Sequence, residues 1–117
     1  QTKNDWPNQF RTARFVPAVE YINAQRHRYL LMQKVNEVVS QFDAIICPSR
    51  GGGNQSAITN LTGHPVVCMP TGFDVKNNLP TGISFVGKLY DEGTLLRVAH
   101  FYQEATGHEK VHPKAFQ

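Results

Sequence analysis

Apolar residues recur at steps of three and four over residues 16–42, between charged and polar positions. This spacing puts them on one face of a helix, so the pattern predicts a long amphipathic helix over that range. Pro17 fits its first turn, where the missing N–H would have no partner within the helix. The preceding residues 1–12 are polar, contain Pro7 and have no periodicity, which favours an extended lead-in.

Three short apolar runs follow at residues 44–47, 65–69 and 82–86. Prolines and turn formers bound the first two, as is typical of strands that are covered on both faces. The polar segment 74–78 before the third run is rich in turn formers and predicts a hairpin between the second and third strands.

A second amphipathic segment begins at Asp91, a good helix cap, and ends at Gly107, a good helix stop. Helix, three strands and helix predict an α/β fold, with short buried strands of a mixed sheet that the helices cover. We expect the domain itself to occupy residues 13–107, after the lead-in over 1–12 and before a polar tail over 108–117.

The composition is that of one soluble globular domain, with 117 residues, 40% of them hydrophobic and 18% charged. The net charge of +3 is spread along the chain without a basic stripe, which argues against direct nucleic-acid binding. No apolar run approaches the ~18 residues of a membrane span, and no secretory pattern begins the chain. We expect a cytoplasmic protein without a membrane partner.

Two cysteines, Cys47 and Cys68, lie in the first two apolar runs. Two thiols are too few for a disulfide framework, so we expect buried, reduced cysteines on neighbouring strands. His108 and His112 are four residues apart but lack a matching cysteine or carboxylate pattern. The sequence therefore predicts no metal site, and no cofactor motif is present.

The residues that could carry chemistry follow the first predicted strand, in the glycine-rich stretch 49–56. Open α/β sheets place ligand sites after their strands. The stretch lacks the Lys-Ser/Thr ending of a phosphate loop, so a flexible connector is the better interpretation. No serine lies in a Gly-x-Ser-x-Gly elbow or has an identifiable base. The residues alone point to no catalytic group.

Several sequence motifs follow one another in an order that we compare with known families. Residues 43–49 read Asp-Ala-Ile-Ile-Cys-Pro-Ser, and residues 60–73 read Asn-Leu-Thr-Gly-His-Pro-Val-Val-Cys-Met-Pro-Thr-Gly-Phe. They follow the predicted long helix, which begins within the segment 14–28. They precede two further matching segments, 79–87 and 91–99. Together these segments resemble the C-terminal part of amidase signature proteins.

The resemblance covers roughly residues 11–113 and implies part of an α/β/α sandwich. The family cleaves or transfers the nitrogen of amides through a Ser-cis-Ser-Lys triad, in which the nucleophilic serine forms an ester. Its lysine segment and its Gly/Ser-rich signature have no counterpart here, since the glycines 51–53 follow a strand rather than preceding the long helix. The resemblance thus implies no catalytic residue in this chain, which we expect to be inactive alone.

In the family, the segment matching 49–60 is often longer and helps to shape the substrate pocket. The resemblance therefore makes Ser49, Asn54, Gln55 and Asn60 candidates for the pocket wall. The short connector favours a broad amidase over the glutamine-transferring type, with a small amide as substrate. Implied partners are the remainder of the amidase polypeptide or a second copy. The alternative is a self-associating α/β interaction module without catalysis.

Overall fold

A computed structural model describes residues 2, 5–49 and 53–113. The elements in chain order are α1 (Trp6–Ala13), α2 (Ala18–Val39), β1 (Ile45–Pro48), α3 (Gln55–Thr62), β2 (Val66–Phe73), β3 (Pro80–Val86), α4 (Glu92–Thr106) and a short 3-10 helix (His108–Lys110). The predicted α/β fold is confirmed. Two helices, α1 and α3, were not predicted.

The three strands form one sheet in the order β1-β3-β2. The hairpin between β2 and β3 is confirmed, and its turn is held by Asp74, whose carboxylate accepts the backbone N–H of Lys76 at 2.8 Å. Both pairings are antiparallel, so the described strands do not form the mixed sheet that we predicted. Because β3 lies between β1 and β2, Cys47 and Cys68 are not on neighbouring strands, and each is paired in register with Ser84.

Helices lie on both faces of this sheet. On one face, Leu95 and Ala99 of α4 pack against Phe85 of β3 to form the most buried cluster in the described chain. On the other face, a narrow cleft is lined jointly by residues of α2, α3, β1 and β3. The central strand of the sheet is β3, and Gln55 at the beginning of α3 lines the cleft together with Cys47 near the end of β1.

The predicted ends of α4 are confirmed, with Asp91 at the N-cap and Gly107 at the C-cap. Gly107 has a φ of 60°, a left-handed conformation that glycine adopts without steric cost. The long helix is also confirmed, although α2 begins after Pro17, which is its N-cap rather than part of its first turn.

The predicted extended lead-in is wrong from Trp6 onward, since these residues form α1. Pro7 lies in the first helical turn, where proline is tolerated. The rings of Trp6 and Phe10, one turn apart, lie 5.6 Å from each other between centroids. Local contacts of this kind support a helix without the long apolar periodicity that we used to predict α2.

Much apolar surface remains uncovered. Ile46 is 65% exposed and Cys68 is also exposed, so the prediction that these strands are covered on both faces is wrong. The accessible surface is 9195 Å², whereas a compact protein of this mass exposes about 6,400 Å². The radius of gyration is 18.2 Å, against about 13 Å for a compact chain of this length. Among the described helices, none combines the length and the apolar character of a membrane-spanning segment.

Candidate functional site

The helix α3 gives the candidate site its shape. We predicted a flexible connector over 49–56, but the residues from Gln55 onward are helical, with Asn54 at the N-cap and Gly63 at the C-cap. Thr59 and Thr62 donate their hydroxyl hydrogens to carbonyl oxygens one turn earlier, and both are buried. The chain reverses at Gly63, whose φ of 80° is left-handed, and then enters β2.

A cavity of about 400 Å³ lies between α3 and the sheet. The α3 side is lined by Gln55, Ser56, Thr59 and Asn60. The opposite side is lined by Ser49, His64, Val66, Cys68 and Ser84. None of these described lining residues is a lysine, arginine, aspartate or glutamate, so the described part of the wall has no charged side chain other than His64, should that imidazole become protonated.

The floor of this cavity is a row of hydroxyl and thiol groups centred on Ser84. The Ser84 side chain is 2% exposed, and its Oγ lies 2.9 Å from Ser49 Oγ and 3.3 Å from Cys68 Sγ. From the other neighbouring strand, the Cys47 thiol donates to the Ser84 carbonyl oxygen at 3.6 Å. Burial, followed by the nearby Cys68, raises the pKa of the Cys47 thiol.

The protonation of His64 follows from its hydrogen-bond chain. The Thr62 hydroxyl donates to the Ile58 carbonyl oxygen at 2.9 Å. Since that hydroxyl has only one hydrogen, it accepts the Nδ1–H of His64, with Nδ1 and Oγ1 2.8 Å apart. The proton is therefore on Nδ1, and Nε2 keeps its lone pair.

The His64 Nε2 atom is buried and has no hydrogen-bond partner among the described residues. The side chain is 4% exposed, and burial lowers the pKa of the imidazole, which keeps the ring neutral. An unpaired buried acceptor costs about 1–3 kcal/mol. A donor from a ligand or from a neighbouring polypeptide segment would recover part of this cost.

Three of the four residues expected in the pocket wall, Ser49, Gln55 and Asn60, line this one cavity. The fourth, Asn54, is exposed and does not line it. Sequence reasoning missed His64 and Ser84. The Gly-His-Pro sequence marks a turn after α3, and this was a signal that His64 could lie beside the site. The position of Ser84 depends on the register of the strands, for which the sequence contains no local signal.

The described residues contain no set of three or more histidines, cysteines or acidic residues that could hold a metal ion. The His108 ring lies 6.5 Å from the Tyr102 ring between centroids, and its Cε1 would lie 3.9 Å from a Cβ atom added at Gly72. Where serine hydroxyls form hydrogen bonds in the described chain, their partners are other hydroxyls, a thiol or a backbone carbonyl oxygen, and not the side chain of a lysine or an acidic residue. Lys88 pairs with Asp43 at 3.3 Å.

Known proteins with similar sequences share most of this chain. The A subunit of glutamyl-tRNA(Gln) amidotransferase from Bacillus pumilus is 33% identical over 112 residues, which cover 80% of this chain and 23% of that protein. The protein of the same name in Halalkalibacterium halodurans is 34% identical over 111 residues, with 80% and 22% covered. That of Lysinibacillus sphaericus is 33% identical over 115 residues, with 83% and 23% covered. The chain belongs to the amidase signature family.

No protein-family model matches the chain. The chain spans less than a quarter of the length of these relatives and corresponds to their C-terminal part. All three relatives are named as subunits of an amidotransferase. From the short connector after β1, the sequence analysis favoured a broad amidase instead. The cavity beside α3 therefore lies in a chain that corresponds to the C-terminal part of these relatives.

Proposed function

We propose that this chain is the C-terminal structural part of an amidase, whose catalytic triad lies in another part of the polypeptide. The enzyme would cleave or transfer the nitrogen of a small amide through a serine ester. The observation that carries the proposal is the similarity to relatives more than four times as long as the matched segment. We place the enzyme in the cytoplasm, where the tRNA in its relatives' names is found.

The chemistry of the described residues is consistent with an inactive fragment. Nucleophilic catalysis by serine requires a base within hydrogen-bond reach of the hydroxyl. Among the described residues, the hydroxyls of Ser49 and Ser84 form hydrogen bonds only with each other and with the Cys68 thiol. His64 Nε2, an acceptor of suitable type in the described wall, is buried and has no hydrogen-bond partner among the described residues. We therefore expect no amide hydrolysis by the chain alone.

The uncovered surface supports a larger parent protein. The helix α2 contacts the rest of the fold through residues such as Val35 and Val39. An apolar stripe over residues 19–30 of this helix, which we call the α2 stripe, remains exposed: Val19, Ile22, Tyr29 and Leu30 are each more than half exposed. Helices that are apolar on two sides are normally buried. In the proposed enzyme, the remainder of the polypeptide covers the α2 stripe.

The decisive test is to sequence the natural coding region that precedes the codon of Gln1. A lysine segment and a Gly/Ser-rich signature there would establish the parent amidase. An open reading frame that starts near Gln1 would overturn the proposal.

A second experiment tests the expected inactivity: the purified chain is assayed against a panel of small amides. Hydrolysis that co-purifies with the chain through two different columns would contradict the expected inactivity.

A self-associating interaction module is the second candidate, and the α2 stripe favours it as well. Exposed apolar patches of this kind mark interfaces. Analytical ultracentrifugation of the pure chain separates the two functions. A defined dimer that dissociates when Leu30 is changed to Glu favours the module, with His27→Glu, at another exposed position of α2, as the matched control. A monomer, or indefinite aggregation, favours the amidase fragment.

A further inference from the structure

We infer that α3 is a lid that opens and closes over the cavity and over the apolar cleft beside it, and that Arg28 of α2 is the positioning residue that holds the lid closed. This goes beyond the proposed function, because it concerns access to the cavity and does not depend on the ligand. The length of α3, the hydrogen bonds of its buried hydroxyls and a long-range hydrogen bond from Arg28 support the inference.

The helix α3 is too short to be stable by itself. It spans only Gln55–Thr62, 8 residues, and isolated helices shorter than about 12–15 residues are marginal in water. A glycine lies close to each end, Gly53 with a φ of 69° and Gly63 with a φ of 80°. Glycine adopts this left-handed conformation without steric cost, and small residues at the ends of elements often act as hinges. The order of α3 therefore depends on its contacts with neighbouring elements.

The polar side chains of α3 hold the helix together and do not hold it to the sheet. The buried hydroxyls of Thr59 and Thr62 donate to carbonyl oxygens one turn earlier in the same helix. Within the described part of the chain, no hydrogen bond joins α3 to a strand. On the sheet side, Ile58 of α3 lines the apolar cleft together with Val39 and Cys47. Apolar contacts are not directional, so α3 can move away from the sheet without breaking a hydrogen bond to it.

Arg28 joins the end of α3 to α2. Its Nε–H donates to the Leu61 carbonyl oxygen at 2.5 Å, although 33 residues separate the two in the chain. Leu61 is in the last turn of α3, where a carbonyl oxygen has no partner within its own helix. The positive guanidinium is also favourable at this negative end of the helix dipole. The guanidinium Nη1 donates to Gln25 Oε1 at 3.4 Å, so its other side is bound to α2 itself.

The two thiols of the chain report whether the lid is open. Cys47 is half-buried and lines the cleft under α3, whereas Cys68 is already exposed. Labelling of the 117-residue chain with iodoacetamide, followed by peptide mass spectrometry, therefore gives both rates in one molecule. Arg28→Met keeps an apolar stem and removes the donor. We expect it to raise the labelling rate of Cys47 about three- to tenfold relative to that of Cys68. An unchanged ratio of the two rates overturns the inference.

Two further variants assign the effect to the hydrogen bond. Arg26→Met is the matched control, because Arg26 is also exposed on α2 but makes no side-chain hydrogen bond or ion pair in the described chain. It should leave the ratio of the two labelling rates unchanged. Arg28→Lys keeps a charged donor and should recover at least half of the difference. Equal effects of Arg26→Met and Arg28→Met, or of Arg28→Lys and Arg28→Met, would contradict the role of Arg28.

Amide hydrogen exchange separates the opening of a lid from a general loss of stability. The Gly63 N–H donates to the Thr59 carbonyl oxygen at 2.8 Å at the end of α3. The same bond ends α4, where the Gly107 N–H donates to the Gln103 carbonyl oxygen at 2.9 Å. Arg28→Met should speed exchange at Gly63 and leave that at Gly107 unchanged, because only α3 opens. Equal acceleration at both glycines would indicate unfolding of the whole chain and would overturn the lid.

Discussion

The Ser49 and Ser84 hydroxyl oxygens lie 2.9 Å apart, although 35 residues separate them in the chain. Ser84 is at the middle of the central strand β3, and Ser49 directly follows the edge strand β1. Their contact joins the floor of the cavity to the segment that carries the chain toward α3. The position of Ser49 in the cavity wall therefore depends on how β1 and β3 are arranged in the sheet.

The first prediction concerns Ser84→Ala. Ser84 is 2% exposed and contacts both Ser49 and Cys68, so its removal takes two side-chain interactions from the floor. We expect the free energy of unfolding to fall by about 0.5–1.5 kcal/mol, measured by urea denaturation followed by circular dichroism. Ser56→Ala, at an exposed serine on the other side of the cavity, is the control and should have almost no effect. If Ser84→Ala and Ser56→Ala lowered the free energy of unfolding equally, the hydrogen bonds of Ser84 would contribute no more than an exposed serine, and the prediction would be wrong.

The second prediction concerns the core between α4 and the sheet. Leu95 is 1% exposed and packs with Phe85 and Ala99, whereas the next residue in the same helix, Leu96, is 57% exposed. We expect Leu95→Ala to lower the free energy of unfolding by about 2–5 kcal/mol. Leu96→Ala should change it by less than about 0.5 kcal/mol. The same urea denaturation measures both, and similar losses would place the core elsewhere.

A third prediction uses the close approach of Gly87 to Leu95. A Cβ atom added at Gly87 would lie 3.1 Å from the Leu95 Cβ and 3.2 Å from its Cδ2. Gly87→Ala should therefore destabilise the protein by pushing α4 away from the end of β3. In the Leu95→Ala background the two Cδ atoms are gone, so the same change should cost less. A double-mutant cycle measures this coupling, and strictly additive effects would contradict the predicted contact.

The fourth prediction compares the two thiols. Cys68 is exposed, while Cys47 is half-buried and has a pKa raised by burial and by the nearby Cys68. Because the thiolate is the reactive form, iodoacetamide should label Cys68 faster than Cys47 at about pH 8, as measured by peptide mass spectrometry. In concentrated urea the two rates should converge. Faster labelling of Cys47 in the folded chain would contradict the burial described for β1.

Local signals in the sequence were enough to predict α4 and the hairpin. Asp91 and Gly107 bound a regular apolar pattern, and the segment 74–78 is dense in turn formers. These signals act within a few residues, so no knowledge of the packing is needed. The helix α2 was predicted from a longer signal, the apolar periodicity over residues 16–42.

The site could be predicted only in part. The helix α3 follows a glycine triplet and has few apolar residues, so its composition is that of a loop; buried Thr59 and Thr62 hydroxyls support it instead. The contact between Cys68 and Ser84 depends on the register of the hairpin. The contact between Ser49 and Ser84 depends on the position of β3 between the other two strands. Both are non-local, and the sequence pattern does not determine either.

The last prediction concerns pH and His64. Burial lowers the pKa of this imidazole in the folded state, so below its ordinary value of about 6.5 the unfolded chain binds the proton first. The stability that the neutral ring contributes is complete above that value and is lost as the pH falls toward the folded-state pKa. We expect urea denaturation to show a lower free energy of unfolding at about pH 5 than at about pH 7.5. His64→Gln should reduce this pH dependence, while the control His100→Gln, at an exposed position in α4, should retain it. An unchanged pH profile in His64→Gln would assign the effect to other groups and contradict a buried neutral imidazole.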